Sequence, residues 1–568
     1  MSKLNPADSG PPRWQLIWYA LVTVLAVFTY FYGLDSDHIP RNGDEFPYTH
    51  ITRLTAASGH LLPLQSNLPE MRNTKPPLLF WQGIASTDWG KNWTLWHLRY
   101  PSVIYTLLTA GLVFLLGWKL SRQPGTGFLA LLTFLAFFST YRYGRPFLTD
   151  PPEVFWLFLP CAVLLYWRPG VFESRWRLPI LLGVVIGIGL LYKSFALLVP
   201  VTFALVWWFL RQRGYRVKSF FAKDAWKIAV MGIIALAIFS LWFVLDPNPQ
   251  AILKEFVLKE NAGKFNSHGG SYLANFFWGG QSIWRIVTAY PLNAGLLVFP
   301  VTALFFLAYQ RRAQLDDAEK ILWIWVFTLF FVFSLPSQRD ERYVLPAMPA
   351  LAVLCALNWE RIHRHVFVAS LVVTGGAVAL LAYLSVRLQL GVPGNPIYPV
   401  THWLLLAGTA TIVFAALLIP KFTRPGVNAA AILALLCFAA FFRPFDGALG
   451  NYRPEVQQFA RGREVWVPIN FIAKEEGHRF FLPGADVHGY RSELNLTVAQ
   501  LASLHSLFVI RLPMNATNPP GVKVIGQRLD LGSRHTPVQI KEMLRGKIYE
   551  NLFLKEVLIE VPPGEIQR

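Results

Sequence analysis

Apolar residues run through this chain in long blocks, broken by short segments rich in Arg, Lys, Pro and Gly, and the blocks are too long for strands. A helix that crosses a bilayer needs about 20 mostly apolar residues, and roughly 13 segments fit that length. They are 14–34, 99–118, 125–141, 152–167, 178–193, 195–210, 226–246, 291–309, 321–336, 343–359, 365–386, 402–420 and 427–443. The run from Trp14 follows a polar lead and exceeds a signal-peptide core, so it predicts a retained first span. Beyond about Arg443 the blocks stop and a soluble mixture begins. There Val465–Val467, Phe480–Leu482, Leu507–Ile510, Val522–Ile525 and Val557–Val561 predict short strands, while Val498–Leu504 and Pro537–Arg545, the latter capped by Thr536, predict helices. The expected architecture is an all-α polytopic membrane domain over 1–443 followed by a small α/β domain over 444–568.

Composition narrows the class. With 54% hydrophobic and only 15% charged residues, the chain is neither disordered nor an ordinary soluble enzyme. A net charge of +19 raises the question of nucleic acid, but Lys and Arg sit in clusters between apolar blocks and form no continuous stripe, so no nucleic-acid partner is expected. Alternating sides from the N-terminus gathers Lys119, Arg122, Arg168, Arg175, Arg177, Arg211, Arg213, Arg216, Lys218, Lys223, Lys227, Arg311, Arg312, Arg361, Arg364, Lys421 and Arg424 on one face. Positive loops stay cytoplasmic, which predicts a multi-pass plasma membrane protein with a cytoplasmic N-terminus and an extracytoplasmic C-terminal domain. Cys161, Cys355 and Cys437 lie within apolar blocks without CxxC spacing, and no GxxxxGK[ST] phosphate cradle is present, so neither a zinc finger nor a nucleotide-driven pump is supported.

Two loops on the other face, 35–98 and 246–290, are too long to be mere connectors. The first predicts a helix over 46–58, with Tyr48, Ile51 and Leu54 on one side, and a second helix after Pro76-Pro77; such a pair would lie along the membrane surface. Charges at the mouths of membrane spans mark function by default. On this face they include Asp44, Glu45, Lys75, Arg145, Asp150, Lys193, Lys264, His268, Arg342 and the neighbouring Tyr343. Asp44 and Asp150 each open a helical segment, so each is either a cap or a general base. Lys75, Lys264, Arg342 and the Tyr343 hydroxyl suit a phosphate whose charge grows as a bond breaks. Glu45, Tyr48, Arg145, Lys193 and His268 are expected around the same cavity. His50, His60 and His268 lack the regular spacing of a zinc motif, so no metal ligand is assigned and no cofactor is firmly implied.

The segments Gly43-Asp44-Glu45-Phe46-Pro47-Tyr48, Ala57-Ser58-Gly59-His60 and Lys75-Pro76-Pro77-Leu78, with Arg99-Tyr100-Pro101-Ser102, Leu148-Thr149-Asp150-Pro151, Lys193-Ser194 and Glu341-Arg342-Tyr343-Val344-Leu345-Pro346, occur in this order. As a set they resemble the aminoarabinose (lipid A) transferase and protein O-mannosyltransferase-like family, which are GT-C glycosyltransferases that use polyprenyl-phosphate sugars. The resemblance implies a GT-C fold, a polyprenyl-phosphate-linked donor, a lipid, glycan or protein acceptor on the outer face, and membrane lipids as surroundings. It also implies that Asp44 activates the acceptor, that Asp150 is a second acid at the cavity, and that Lys75, Lys264 and Tyr343 bind the lipid phosphate. Pro47 occupies a place often held by Arg in the family, and Thr74 precedes the lysine where Glu is common in the aminoarabinose transferases; the missing Glu separates the enzyme class from that particular sugar and from the family's structural zinc site. The rival readings are a lipid or solute transporter, for which repeated halves with midplane breaks would be expected, and a non-catalytic envelope assembly protein.

Overall fold

Helices built from the apolar blocks make up most of the molecule, and one five-stranded sheet lies near the C-terminus. The computed structural model describes residues 12–39, 42–167, 176–265, 271–392, 396–447, 449–469, 473, 475–491, 496–531 and 535–561. In chain order the helices that matter here are α1 (Arg13–Phe31), α2 (Glu45–Ala57), α3 (Leu78–Ser86), α4 (Leu95–Ser121), α5 (Pro124–Ala136), α6 (Asp150–Tyr166), α7 (Arg177–Tyr192) and α8 (Phe195–Gln212). They continue as α9 (Ala225–Leu245), α10 (Trp284–Gln310), α11 (Asp317–Ser334), α12 (Met348–Leu357), α13 (Arg364–Gly391), α14 (Val400–Leu418) and α15 (Pro420–Phe442). Eight of these, α1, α4, α8, α9, α10, α13, α14 and α15, are long and apolar enough to cross a bilayer.

The other predicted spans fall on α5, α6, α7, α11 and α12; α11 matches α8 in length but opens with Asp317, Glu319 and Lys320, and the others are shorter, in two cases with visible causes. The backbone turns extended at Phe137 (ψ 131°) and ends α5, while α12 is preceded by a 3-10 turn over Glu341–Ala347. Such breaks survive at membrane depth where neighbouring helices shelter the backbone. Accordingly α12 buries nine of its ten residues, and α15 is 83% buried where α1, α9 and α14 are 28% buried, so α12 and α15 form the middle of the bundle. Gly183 and Gly187 let α7 approach α9 closely: a Cβ at either position would stand 2.9 Å from Ile234 or Ile238.

Four of the basic residues gathered by alternation bond to neighbouring loops or helix ends, while Arg168 and Arg175 lie outside the described residues. Arg211 pairs with Asp317 (2.6 Å), Arg311 donates to Asn358 (3.1 Å), Arg364 to the Leu417 carbonyl (2.8 Å) and Arg424 to the Ile362 carbonyl (2.9 Å). The two long loops interlock on the opposite face. Asn73 donates twice to Glu255 (2.9 and 3.1 Å), and Lys254 and Lys259 both reach Glu70 (3.0 Å each).

The C-terminal domain is a mixed sheet in the order β2-β1-β3-β5-β4, with strands β1 (Glu464–Ile469), β2 (Asp486–Arg491), β3 (Leu507–Pro513), β4 (Lys523–Leu531) and β5 (Phe553–Glu560). Strands β1, β2 and β3 are parallel neighbours, and β5 runs antiparallel to β3 and β4. Its helices include α16 (Glu475–Phe481), α17 (Val498–Leu504), α18 (Pro537–Leu544) and α19 (Ile548–Leu552). Thr536 caps α18 through a capping box with Gln539, as expected of it. The strand expected over 480–482 is instead the end of α16, and β2 was not foreseen. A three-residue apolar run carries no period with which to tell strand from helix.

Helix α2 also differs from expectation. It does not lie on lipid: it buries Tyr48, Thr49, His50, Ile51, Thr52 and Thr55, and is held between the membrane bundle and α16.

Candidate functional site

The Asn42-Gly43 turn starts α2, with Asn42 Oδ1 accepting from the Asp44 N–H (3.0 Å). The next residue, Glu45, is fixed from behind. Arg99 of α4 grips both of its oxygens (2.7 Å each), and the Phe147 N–H donates to it (2.8 Å). With Glu45 fixed inward, Asp44 is left facing the other way. Its carboxylate makes no cap bond to the helix, so the capping alternative falls away.

Asp44 opens on a cavity of about 900 Å³ lined also by Tyr48, Thr74, Lys75, Thr149, Lys193, Glu260, Gln338, Asp340, Arg342 and Tyr343. It lies on the face of the long loops and of the C-terminal domain. Arg342 bridges two carboxylates, donating to Asp44 Oδ2 (2.5 Å) and Asp150 Oδ2 (2.7 Å), and its guanidinium lies 5.2 Å from the Tyr143 ring centre. Asp340 positions this arginine by accepting the Arg342 N–H (2.9 Å). Lys193, at the end of α7, reaches Asp150 Oδ1 (3.1 Å) and Glu153, while Lys75 pairs with Glu260 (2.5 Å). Three cations and several carboxylates therefore share one cavity, each cation held by an acid.

The two aspartates differ in access. The Asp44 side chain is 49% exposed and that of Asp150 only 1%, so Asp44 can reach a bound molecule whereas Asp150 serves as counter-ion to Arg342 and Lys193. Burial, and then the charge of Asp44, push the Tyr48 phenol well above its ordinary range, so it stays a neutral donor.

Of the residues expected here, Asp44, Tyr48, Lys75, Lys193, Arg342 and Tyr343 line the cavity, and Asp150 stands directly behind Arg342. Two do not belong to it. Glu45 locks the start of α2 to Arg99, and Arg145 donates to the Tyr30 and Tyr32 carbonyls (2.9 and 2.5 Å) over the Tyr141 ring, so both hold backbone in place. The side chain of Lys264, whose backbone is in a 3-10 turn, and the whole of His268 lie outside the described residues. His50 is buried against Glu476, and among the described residues no group of three or more His, Cys, Asp or Glu could hold a metal ion.

Glu153 was overlooked, although its spacing from Asp150 puts both acids on one face of α6. Glu260 is one of several charges in the long loop 246–290, and nothing in its spacing sets it apart from Lys259 or Lys264. The network of α2 with α16 had no signal in the sequence. His50 Nε2 accepts from the Asn67 N–H (3.1 Å), which leaves the proton on Nδ1 for Glu476 (2.7 Å). Arg53 completes the grip on Glu476 with bonds of 2.7 and 3.1 Å.

Residues 20–252 match the family described as dolichyl-phosphate-mannose-protein mannosyltransferase. An undecaprenyl phosphate-alpha-4-amino-4-deoxy-L-arabinose arabinosyl transferase of Sodalis glossinidius is 27% identical over 445 residues, covering 76% of this chain and 72% of that protein. The corresponding transferase of an Enterobacter species is 28% identical over 421 residues, 70% of each chain. The crystal structure of ArnT from Cupriavidus metallidurans bound to undecaprenyl phosphate superposes with a TM-score of 0.60 at 15% identity, covering 97% of this chain and 98% of that one, and so shares the fold. In these likenesses the chain is similar to the aminoarabinose transferases and the protein-mannosyltransferase-like GT-C membrane glycosyltransferases, and its cavity joins an accessible carboxylate to three cations.

Proposed function

We propose that this glycosyltransferase moves one sugar from a polyprenyl-phosphate donor to a lipid, glycan or protein acceptor on the extracytoplasmic face of a bacterial inner membrane. The observation that carries the reading is the meeting of Asp44 with Lys75, Lys193 and Arg342 in one cavity at the mouth of the spans. Relatives named for undecaprenyl-phosphate-linked aminoarabinose support the donor class. Asp44 takes the proton of the acceptor hydroxyl or amine as that atom bonds to the anomeric carbon. The bond from that carbon to phosphate oxygen breaks with its electron pair, and the released polyprenyl phosphate is held by Lys75, Arg342 and the Tyr343 hydroxyl. A single displacement inverts the anomeric carbon. Energy comes from the phosphodiester itself, so no nucleotide is consumed.

Asp44→Asn tests the role of the base, because an amide keeps the size and hydrogen-bonding oxygen but takes no proton. Transfer to the acceptor should fall by about 10² to 10⁴, with donor binding and melting temperature retained. Turnover close to that of the parent would move the base elsewhere. For orientation, a reporter active only outside the cytoplasm should work fused after Arg568 and fail after Arg216, since Arg216 stands among the basic loops. The opposite result would put the cavity in the cytoplasm.

A further inference from the structure

A groove of about 1030 Å³ runs between α13 and α14, walled by apolar side chains such as Leu371, Ala379 and Ala382 on one side and Trp403, Ala410 and Leu417 on the other. It shares no lining residue with the cavity at Asp44. Its depth in the membrane can be read from α13. Arg364, at the start of that helix, donates to the Leu417 carbonyl at the end of α14 and marks one membrane edge. From Arg364 to Tyr383 the helix axis rises about 28 Å, close to the roughly 30 Å of a hydrocarbon core. Tyr383 therefore marks the opposite edge.

At that level α18 and α19 form a roof. The Tyr383 hydroxyl donates to the Leu544 carbonyl (3.1 Å) and Arg387 to that of Gly546 (3.2 Å), while Met543 and Tyr549 pack in one cluster with Leu388 and Trp403. The free face of α18 is unusual for a surface in water. Val538, Ile540 and Leu544 are 71%, 48% and 57% exposed, and exposed Lys541 and Arg545 alternate with them. Apolar and basic side chains interleaved on one face suit the boundary between acyl chains and headgroups. Lys547 and Arg387 add positive charge beside the roof, so that with Lys541 and Arg545 four cations face two acids there: Glu542, which pairs with Lys547 (3.0 Å) and Arg545 (3.5 Å), and Glu550, whose charge acts on Lys547.

We propose that this groove holds an anionic glycerophospholipid of the leaflet facing the C-terminal domain, with an acyl chain between α13 and α14 and its phosphate beside Arg387, Arg545 and Lys547. Continuity of the groove with the lipid-facing surfaces of both spans, and the positive excess at its mouth, favour that occupant over a protein partner. The lipid joins the C-terminal domain to the bilayer at a point away from the reacting groups, and the inference stands apart from the proposed reaction.

Native mass spectrometry of the full chain, released in mild detergent from nanodiscs of phosphatidylglycerol and phosphatidylcholine, tests it. The parent protein should keep a phosphatidylglycerol in preference to phosphatidylcholine. Ala410→Trp, which fills the groove, should reduce that retention at least about tenfold, and Arg545→Glu with Lys547→Glu should abolish the headgroup preference. Equal retention of both lipids by the parent protein, or unchanged retention in Ala410→Trp, overturns the proposal. An environment-sensitive dye on Val538→Cys provides a check independent of the filled groove. It should be quenched by brominated acyl chains and shielded from iodide, and the reverse would remove α18 from the bilayer.

Discussion

Asp44 and Glu45 are adjacent acids of nearly the same chemistry, and the fold turns them in opposite directions. One is enclosed by Arg99 and holds a helix in place, and the other meets Arg342 across an open cavity. Both stand out in the sequence as costly charges near a membrane, which is why both were assigned to one cavity; a linear reading finds the expense but not the partner. Arg145 was misplaced for the same reason, since its partners are main-chain carbonyls that any sequence would supply. Lys75 is the clearer case. The two prolines after it restrict the backbone and supply no competing N–H, and its ammonium lines the cavity with Glu260 as partner. A charge-assisted contact is worth about 1.5 to 3 kcal/mol, so Lys75→Ala should weaken donor binding at least about tenfold, read as affinity for the polyprenyl-phosphate sugar, with the melting temperature unchanged. Donor affinity equal to that of the parent would reduce the lysine to a partner of Glu260.

At the scale of elements, the long helices were the easiest to foresee because their apolar runs exceed anything a soluble core requires, and Thr536 and the Pro76-Pro77 pair marked two shorter helices correctly. Helix α16 was misread because the short apolar run at 480–482 has no period of its own, and α2 was expected on lipid because Tyr48, Ile51 and Leu54 give it an apolar side. Thr49, His50, Thr52 and Thr55 are instead buried, and each threonine hydroxyl is placed where the fold supplies a partner: Thr49 and Thr52 donate back along the helix, and Thr55 accepts from the Gln65 N–H. The helix is therefore pinned at its first residue by Glu45. Glu45→Gln would leave the Arg99 guanidinium buried without its counter-charge, a loss of roughly 3 to 5 kcal/mol for a broken buried pair. Melting in detergent should show a markedly lower midpoint and less folded protein from cells, and an unchanged midpoint would show that the Leu34 and Ser36 carbonyls alone satisfy Arg99.

At the scale of the whole molecule, the C-terminal domain is part of the support for the cavity, since Glu476 of α16 holds His50 and Arg53 of α2. Burial alone would raise the Glu476 carboxyl, but the hydrogen bonds from His50 and Arg53 prevail and hold it at about 2, below its ordinary 4.5. A carboxyl depressed on folding contributes stability above its unfolded value and loses that contribution as pH falls toward the folded value. Contact between α2 and α16 should hence weaken between about pH 4.5 and 2, visible as faster amide exchange in α16 and in the middle of α2. In Glu476→Gln that exchange should already be fast at neutral pH and lose this pH dependence; protection identical to that of the parent would place the support elsewhere.

The same contact has a temporal meaning. His50 and Glu476 are 426 residues apart, and Ser36 and His38 are 410 and 408 residues from Asp446, to which they bond at 2.7 and 2.8 Å. A chain made from its N-terminus threads nearly all its spans before either partner exists. Helix α2 can acquire its buried polar support only after the sheet domain has been synthesised and folded against it, so the arrangement around Asp44 is among the last parts of the protein to be completed.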